Sequence, residues 1–452
     1  MPTPHTQRPL ISERALRDCL RRVSSILRER PTVLRGTLAP LVAHILTQRI
    51  RFLGVIRNHE TPCYILDLKE LKKSIADFRS ACERHLPSHQ IFYAVKTNHH
   101  QRILKEVIRA GFGLDVSSKR EIEMGVRAGA QKMVFSGPGK TEECLATAMK
   151  HRDHVTINMD SFGELKRLGL LTKKLKKRIC AGVRVAPRDH DAWNKFGIDM
   201  RDLHDFWLAA QIHPGISLEG IQFHISFNKD AAPYQRMITL LSSYLKRTFS
   251  KKQLHDIRFI DIGGGFRPYA SEGYYPWTTP AGTIVQAAYA ESVKRPPFAD
   301  RYLLLESLPV DEYLAGIAKA VQTHLAPLLS CAIYLEPGRI ISNNAMHIAL
   351  KVVDRKSPRT AILDGGVNAI GWERFSYDYF PVINLTHPGM RERICTLYGS
   401  LCLQGEMDLW GYSYYGSKLA EGDILVVPYQ GHLTYSLAQN FIHPIPPVYI
   451  MK

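Results

Sequence analysis

The sequence predicts an α/β protein in which a (β/α)8 barrel is followed by a mostly antiparallel β domain. Eight short, apolar runs alternate with helical patterns between about residues 90 and 335, as expected for parallel strands that are buried on both faces. After about residue 345 the helical pattern fades, and β-like runs separated by Gly, Asp and Pro turns follow. We therefore expect a helical extension over residues 1–60, the barrel over 61–345 and the β domain over 346–452.

The N-terminal extension is basic and has helical spacing. Leu16, Leu20, Val23 and Leu27 recur at intervals of three or four residues, which predicts a helix with one narrow apolar face. A narrow face favours packing on the body of the protein, or on a partner subunit, over binding to a membrane surface.

The barrel region opens with a helix, which Asp67 is placed to cap. The interval before the last apolar run is about twice the usual length, which predicts an insertion near residues 267–300. The eight runs are Ile91–Lys96, Leu114–Val116, Met133–Ser136, Val155–Met159, Ile179–Val185, Ile221–Ile225, Phe259–Ile262 and Ile333–Leu335.

The C-terminal region contains short β-like runs instead of helical patterns. Because turn residues separate them, we expect these runs to form the strands of a second domain. The runs are Ile348–Val353, Thr360–Leu363, Ile424–Pro428 and Leu433–Ala438.

Charge, hydropathy and cysteine spacing argue against nucleic-acid-binding, membrane-spanning and disulfide-rich classes of protein. The 452 residues carry a net charge of +18, but the basic residues occur in short clusters and do not form the aromatic-basic stripe of a nucleic-acid-binding protein. No apolar run is long enough to span a membrane, and no secretory signal is apparent. The eight cysteines form no Cys-x-x-Cys pair, which favours a reducing cytoplasm over a disulfide framework or a zinc site.

The carboxyl ends of the predicted strands carry the candidate site, because active sites of such barrels lie at that end. The first run ends at Lys96, where we expect a desolvated lysine that can form a Schiff base with a carbonyl group. Gly263-Gly264-Gly265 and Arg339 follow the last two runs and suit a phosphate group. Glu336 can keep a ring nitrogen protonated, and His224 can lie against a ring.

Six segments in this order resemble the fold-type III pyridoxal-phosphate decarboxylases, which include the diaminopimelate, ornithine and arginine decarboxylases and have an alanine racemase-like barrel. The resemblance extends from about Thr61 to Phe441. The segments are Tyr93–Lys96, Gly113–Ser118, Gly137–Lys140, Phe223-His224, Asp261–Phe266 and Glu336–Arg339.

The resemblance implies roles for particular residues. Lys96 would hold pyridoxal 5'-phosphate covalently, His224 would stack on its ring and Glu336 would pair with the ring nitrogen. Cys402, in the segment Tyr398–Cys402, would donate a proton or act as a gate at the partner's site, because members of the family are usually homodimers with shared sites. The phosphate would be held by Gly263, Gly264, Gly265, Gly338 and Arg339, with Ser226 and Tyr435 as further candidates.

Several positions depart from the family pattern in the part of the site that would contact the distal end of the substrate. Leu403 stands where the decarboxylases usually carry an acidic residue, and Glu406 stands where they commonly have Asp. Arg374 lies in the region that holds a distal carboxylate in diaminopimelate-specific members.

We therefore expect decarboxylation of an amino acid or an amino-acid conjugate, as in a specialised pathway such as siderophore or antibiotic assembly. The alternatives are an amino-acid racemase and a non-catalytic regulatory homologue.

Overall fold

The eight predicted runs form a closed barrel of parallel strands. The structure is a computed structural model that describes residues 11–28, 38–186, 195–226, 228–269, 272–290, 302–371 and 378–452. Strands pair in chain order, and Ala332–Leu335 pairs with His89–Ala94 to close the barrel. We number the barrel strands 1 to 8: His89–Ala94, Gly113–Val116, Met133–Phe135, Val155–Met159, Ile179–Ala186, Ile216–Gln222, Phe259–Asp261 and Ala332–Leu335.

Helices connect the barrel strands, and side-chain caps fix where several of them begin. Ser118, Thr141 and Ser161 each accept a hydrogen bond from a backbone N–H in the first turn of the following helix. Such caps satisfy backbone donors that have no partner within the helix. The helices are Leu68–His85, Gln101–Arg109, Lys119–Ala128, Glu142–Lys150, Phe162–Leu175, Leu203–Gln211, Ala232–Thr248, Lys251–Asp256, Val310–Ala320 and Arg339–Ser342.

The second domain is a mixed sheet, part of which closes into a small barrel of its own. Most of its pairs are antiparallel, as expected, but three are parallel, among them Thr360–Leu363 with Glu392–Tyr398. Its strands are Cys63–Asp67, Met346–Ser357, Thr360–Leu363, Ile383–Asn384, Glu392–Tyr398, Leu409–Tyr415, Ile424–Val427 and Val448–Met451.

Two predictions about these boundaries are wrong. Cys63–Asp67, which the predicted boundary at residue 61 assigns to the barrel, pairs with Met346–Ser357 and Val448–Met451 of the second domain. Asp67 does cap the helix that follows, by accepting from the N–H groups of Lys69 and Glu70. The predicted strand Leu433–Ala438 is instead a helical turn over Thr434–Leu437, because Leu433 takes a left-handed backbone conformation with φ +65°.

The N-terminal extension is helical in the residues described, with helices Glu13–Arg28, Ala39–Thr47 and Arg49–Ile56. The last two bury Val42, Ile45 and Phe52 against the second domain. Glu13–Arg28 buries no residue, and its Leu16, Leu20 and Leu27 are exposed, so its predicted packing on the body of the protein is not observed. None of the described helices is long and apolar enough to cross a membrane.

The predicted insertion is present. It carries strands Glu272–Tyr274 and Leu303–Leu305 and a helix over Pro280–Tyr289. Its strands form a small sheet with Asp378–Tyr379 of the second domain.

Candidate active site

The interior of the barrel changes from apolar to polar toward the carboxyl ends of its strands. Phe259 of strand 7 stacks on Tyr334 of strand 8, with ring centroids 4.4 Å apart. Successive side chains of a strand alternate between its faces, so Asp261 and Glu336, each two residues further on, also point inward. Both carboxyl groups are fully buried. A polar layer therefore lies directly above an aromatic one.

Lys96 lies in a short helical turn, Val95–Thr97, immediately after strand 1. Its Nζ is 3.8 Å from Asp115 Oδ2. The Lys96 side chain is 49% exposed, so the expectation of a desolvated lysine is wrong: strand 1 ends at Ala94, and Lys96 projects into an open cavity. Burial, with the nearby charge of Glu336, raises the pKa of Asp115 to about 8.

Glu336 accepts hydrogen bonds from several groups in the polar layer. Gln222 Nε2 donates to its Oε1 at 2.5 Å, and the Ser136 hydroxyl donates to the same oxygen at 3.3 Å. Burial alone would favour the protonated acid, but hydrogen bonds from His224 and Asp261 and the charge of Lys96 lower the pKa of Glu336 to about 2. Glu336 is thus an ionised carboxylate in a buried position.

His224 lies beside Glu336. Its Nδ1 is 3.1 Å from Glu336 Oε2 and also 3.1 Å from the Gly264 nitrogen. A hydrogen bond to the Glu336 carboxylate requires the tautomer in which Nδ1 carries the hydrogen. Ser226 Oγ is 3.3 Å from Nε2. Burial lowers the pKa of His224 to about 4, so the imidazole is neutral near pH 7. A neutral ring can stack on an aromatic ligand without adding a charge.

The glycines of the two late loops are required by their surroundings. Gly263 and Gly265 have φ of +71° and +92°, a conformation that disfavours other residues. A Cβ at Gly264 would overlap the backbone oxygen of Glu336, and one at Gly338 would overlap Thr97 Oγ1. The glycines therefore allow the two loops to pack tightly against their neighbours at this edge of the barrel.

Gly338→Ala should weaken the binding of a phosphate-bearing ligand, because the added methyl group must displace Thr97 beside Lys96. We expect the ligand's dissociation constant to rise roughly tenfold, as when a close contact in a binding site is lost. Titration of the protein with the phosphate-bearing ligand, monitored by fluorescence, measures this dissociation constant.

Gly54→Ala is the matched control, since a Cβ at Gly54 meets nothing within 4 Å. Equal affinities for the two variants would contradict the steric explanation.

The cavity at this end of the barrel has a volume of about 450 Å³. Its walls bring together the predicted Lys96, His224, Ser226, Gly265, Glu336, Gly338 and Arg339. The other lining residues are Ala94, Thr97, Ser117, Ser136, Gly137, Pro138, Arg184, Phe196, Phe266, His432 and Leu433.

Four predicted site residues in the described part of the chain do not line this cavity: Gly263, Gly264, Cys402 and Tyr435. Tyr435 packs edge-on against Tyr64, with ring centroids 5.5 Å apart. It sits on the helical turn, and His432 and Leu433 line the cavity in its place. Cys402 is exposed on a loop of the second domain. Glu406 lies in the turn Gly405–Asp408, its side chain outside the described part, and Arg374 lies outside the described residues.

Residues that the sequence did not single out complete the polar layer. Gln222 and Asn158 are fully buried, and both hydrogen-bond to Ser136. The available signal is a polar amide near the carboxyl end of an otherwise mostly apolar strand. Arg184, inside the predicted run Ile179–Val185, is 6% exposed, and its guanidinium lies 4.4 Å from the centre of the Phe196 ring.

The donor set fits pyridoxal phosphate. Lys96 offers an amine for an aldehyde, Glu336 offers a carboxylate for a basic ring nitrogen and His224 offers a flat neutral ring. The glycines and Arg339 suit a phosphate group.

Comparisons with known proteins agree with this chemistry. Residues 70–296, half of the chain, match the family described as pyridoxal-dependent decarboxylase, pyridoxal binding domain. Diaminopimelate decarboxylase from Campylobacter jejuni is 26% identical over 401 residues, which cover 85% of this chain and 89% of the relative. The 2-[(L-alanin-3-ylcarbamoyl)methyl]-2-hydroxybutanedioate decarboxylase of Staphylococcus aureus is 25% identical, covering 86% of this chain and 94% of the relative.

The crystal structure of diaminopimelate decarboxylase from Helicobacter pylori in complex with L-lysine has the same fold. It superposes with a TM-score of 0.70 at 21% identity and covers 89% of this chain and 94% of the other. The family match, the relatives along most of the chain and the shared fold point the same way: this chain belongs to the fold-type III pyridoxal-phosphate-dependent decarboxylases.

Proposed function

We propose that this decarboxylase acts on an amino-acid conjugate whose distal end is neutral or acidic and is not a bare ammonium group. The observation that carries the proposal is Leu403, directly after Cys402, where the family usually places an acidic residue. A leucine offers no charge to an ammonium group. The relative from S. aureus, whose name specifies a conjugate that ends in a butanedioate, supports a substrate of this type.

The proposed roles follow from the chemistry of the residues. Pyridoxal phosphate supplies an electron sink for the bond that breaks when CO2 leaves. Lys96 supplies the amine that links to the cofactor, and Glu336 keeps the ring nitrogen protonated. His224 packs on the ring and fixes its plane, while Gly263–Gly265, Gly338 and Arg339 hold the phosphate group.

Proton return to Cα is assigned to Cys402 or Lys96. Lys96 already lies in the cavity, 3.8 Å from Asp115 Oδ2. Cys402 is exposed on its loop, so we propose that it reaches the cavity of a second subunit in a homodimer. Asp408 supports that loop by accepting the N–H of Leu401 at 2.7 Å and that of Val367 at 2.8 Å.

Arg374 and Glu406 remain predicted contacts for the distal end of the substrate. Pro138, Phe266 and Leu433 give the cavity apolar walls, and Arg184 gives it a buried cation. A substrate with an acidic distal group suits this combination better than a diamine does.

Two other functions predict different results. A racemase of this cofactor class places an arginine at the ring nitrogen, which weakens the electron sink, whereas this chain has Glu336 there. A regulatory homologue would be expected to lose the lysine or the phosphate contacts, and Lys96 and Gly263–Gly265 are present.

The test is a panel of substrates offered to the cofactor-loaded protein, with CO2 release and the chirality of the remaining amino acid measured together. The panel contains free diaminopimelate, lysine and ornithine. It also contains conjugates in which diaminopropionate is joined by an amide bond to a dicarboxylic acid. We expect the conjugates to release CO2 fastest.

Faster turnover of lysine or diaminopimelate would contradict the proposed substrate class. Chiral inversion without CO2 would indicate a racemase, and a protein that takes up no cofactor would indicate a regulatory role.

A further inference from the structure

Gln222 and Ser136 both contact the same oxygen of Glu336, Oε1. Gln222 is fully buried at the end of strand 6. Its Nε2 lies 2.5 Å from Glu336 Oε1 and 3.0 Å from Ser136 Oγ. If the amide were turned over, its oxygen would face a carboxylate oxygen, which is repulsive. The amide nitrogen therefore faces Glu336.

The direction of each hydrogen bond in this group is fixed by counting donors. Ser136 Oγ accepts from Gln222 Nε2 at 3.0 Å and from Asn158 Nδ2 at 3.4 Å. A hydroxyl group has one hydrogen and two acceptor sites. Because both acceptor sites are used, the hydroxyl hydrogen of Ser136 must point at Glu336 Oε1, 3.3 Å away.

Two donors consequently converge on Glu336 Oε1, which leaves no room for a proton on that oxygen. Asp261, its carboxyl neighbour across the layer, behaves in the opposite way. Burial and the charge of Glu336 raise the pKa of Asp261 well above its ordinary value, which favours a protonated Asp261 beside an ionised Glu336. The Gln222 amide and the Ser136 hydroxyl thus favour the carboxylate form of Glu336.

We propose that Gln222 is a positioning residue that, with Ser136, holds the Glu336 side chain as an ionised acceptor, so that its other oxygen, Oε2, binds the protonated ring nitrogen of the cofactor. The proposal rests on the proposed role of Glu336. It explains why an amide is buried at the end of strand 6, where an unpaired polar group is costly.

The experiment compares Gln222→Met, which keeps the size but removes the donor, with Gln222→His, which keeps a donor. The cofactor is labelled with ¹⁵N in its ring, and the ¹⁵N chemical shift reports whether the ring nitrogen is protonated. The dissociation constant of the cofactor is measured in the same samples. A hydrogen bond to a charged group is worth about a tenfold change in an equilibrium constant or more.

We expect Gln222→Met to move the ¹⁵N signal toward the unprotonated position and to weaken cofactor binding about tenfold. Gln222→His should restore most of the wild-type signal. Gln235→Met is the matched control, because Gln235 Nε2 donates a single hydrogen bond, to Gly316 O at 2.8 Å, far from the polar layer. A merely structural role for Gln222 would change thermal stability but not the ¹⁵N signal.

The outcomes separate this inference from the function on which it rests. A wild-type signal and affinity in Gln222→Met would overturn the inference alone. An unprotonated ring nitrogen in the wild-type protein would overturn both the inference and the proposed role of Glu336.

Discussion

Replacing Lys96 with alanine should abolish the visible absorbance of the bound cofactor and reduce decarboxylation at least about a thousandfold. Proton transfer by a positioned group alone contributes roughly 10²–10⁴-fold, and Lys96 is also the amine proposed to bond to the cofactor. Among the residues lining the cavity, Lys96 is the one amine beside the Asp115 carboxylate. Absorbance spectra and CO2 release on the same protein preparation measure both effects.

Lys105→Ala is a suitable control, since Lys105 is exposed on the helix Gln101–Arg109. That variant should keep the absorbance and the activity of the wild type. Persistence of the absorbance in Lys96→Ala would show that another amine holds the cofactor, and the site would have to be reassigned.

The barrel was predictable because its signals are local. One face of each strand packs against helices, and the other face points into the barrel interior. Because both faces are buried, the whole run is apolar. The residue at the end of each run must then lie at the mouth of the barrel. This is why Lys96, His224 and Glu336 could be named from the sequence and why the structure brings them together.

Features that depend on long-range pairing were not predictable in the same way. Cys63–Asp67 resembles any buried strand, and only its pairing with Met346–Ser357 shows that it belongs to the second domain. Leu433 gives no local sign of its positive φ, so a strand was expected where the chain turns. Tyr435 consequently packs on Tyr64 and does not line the cavity within the described residues.

The polar layer was missed for a different reason. Gln222 and Asn158 lie inside apolar strands, where a single polar residue usually makes an ordinary hydrogen bond in the core. Their importance appears only when five strands are placed around one axis, because the network joins Ser136, Asn158, Gln222, Asp261 and Glu336. No pairwise spacing in the sequence encodes such a ring of contacts.

Glu336→Gln should separate decarboxylation from simple proton exchange at Cα. The amide keeps the size of the carboxylate but removes its charge, so the ring nitrogen loses the partner that holds its proton. Breaking a buried charge pair costs about 3–5 kcal/mol, which corresponds to a fall in kcat of roughly 10²–10⁴-fold. KM should change little, because Glu336 faces the cofactor and not the distal end of the substrate.

Exchange of the α-proton needs a weaker electron sink than the loss of CO2, so its rate should fall less. The measurement is CO2 release alongside deuterium uptake at Cα of the substrate in D2O. Glu219→Gln provides the matched control: Glu219 lies in the middle of strand 6, does not line the cavity, and accepts the Ser217 hydroxyl at 2.6 Å. Equal losses of both rates in Glu336→Gln would argue against a specific role at the ring nitrogen. A weakened electron sink must slow the loss of CO2 more strongly than the exchange of the α-proton.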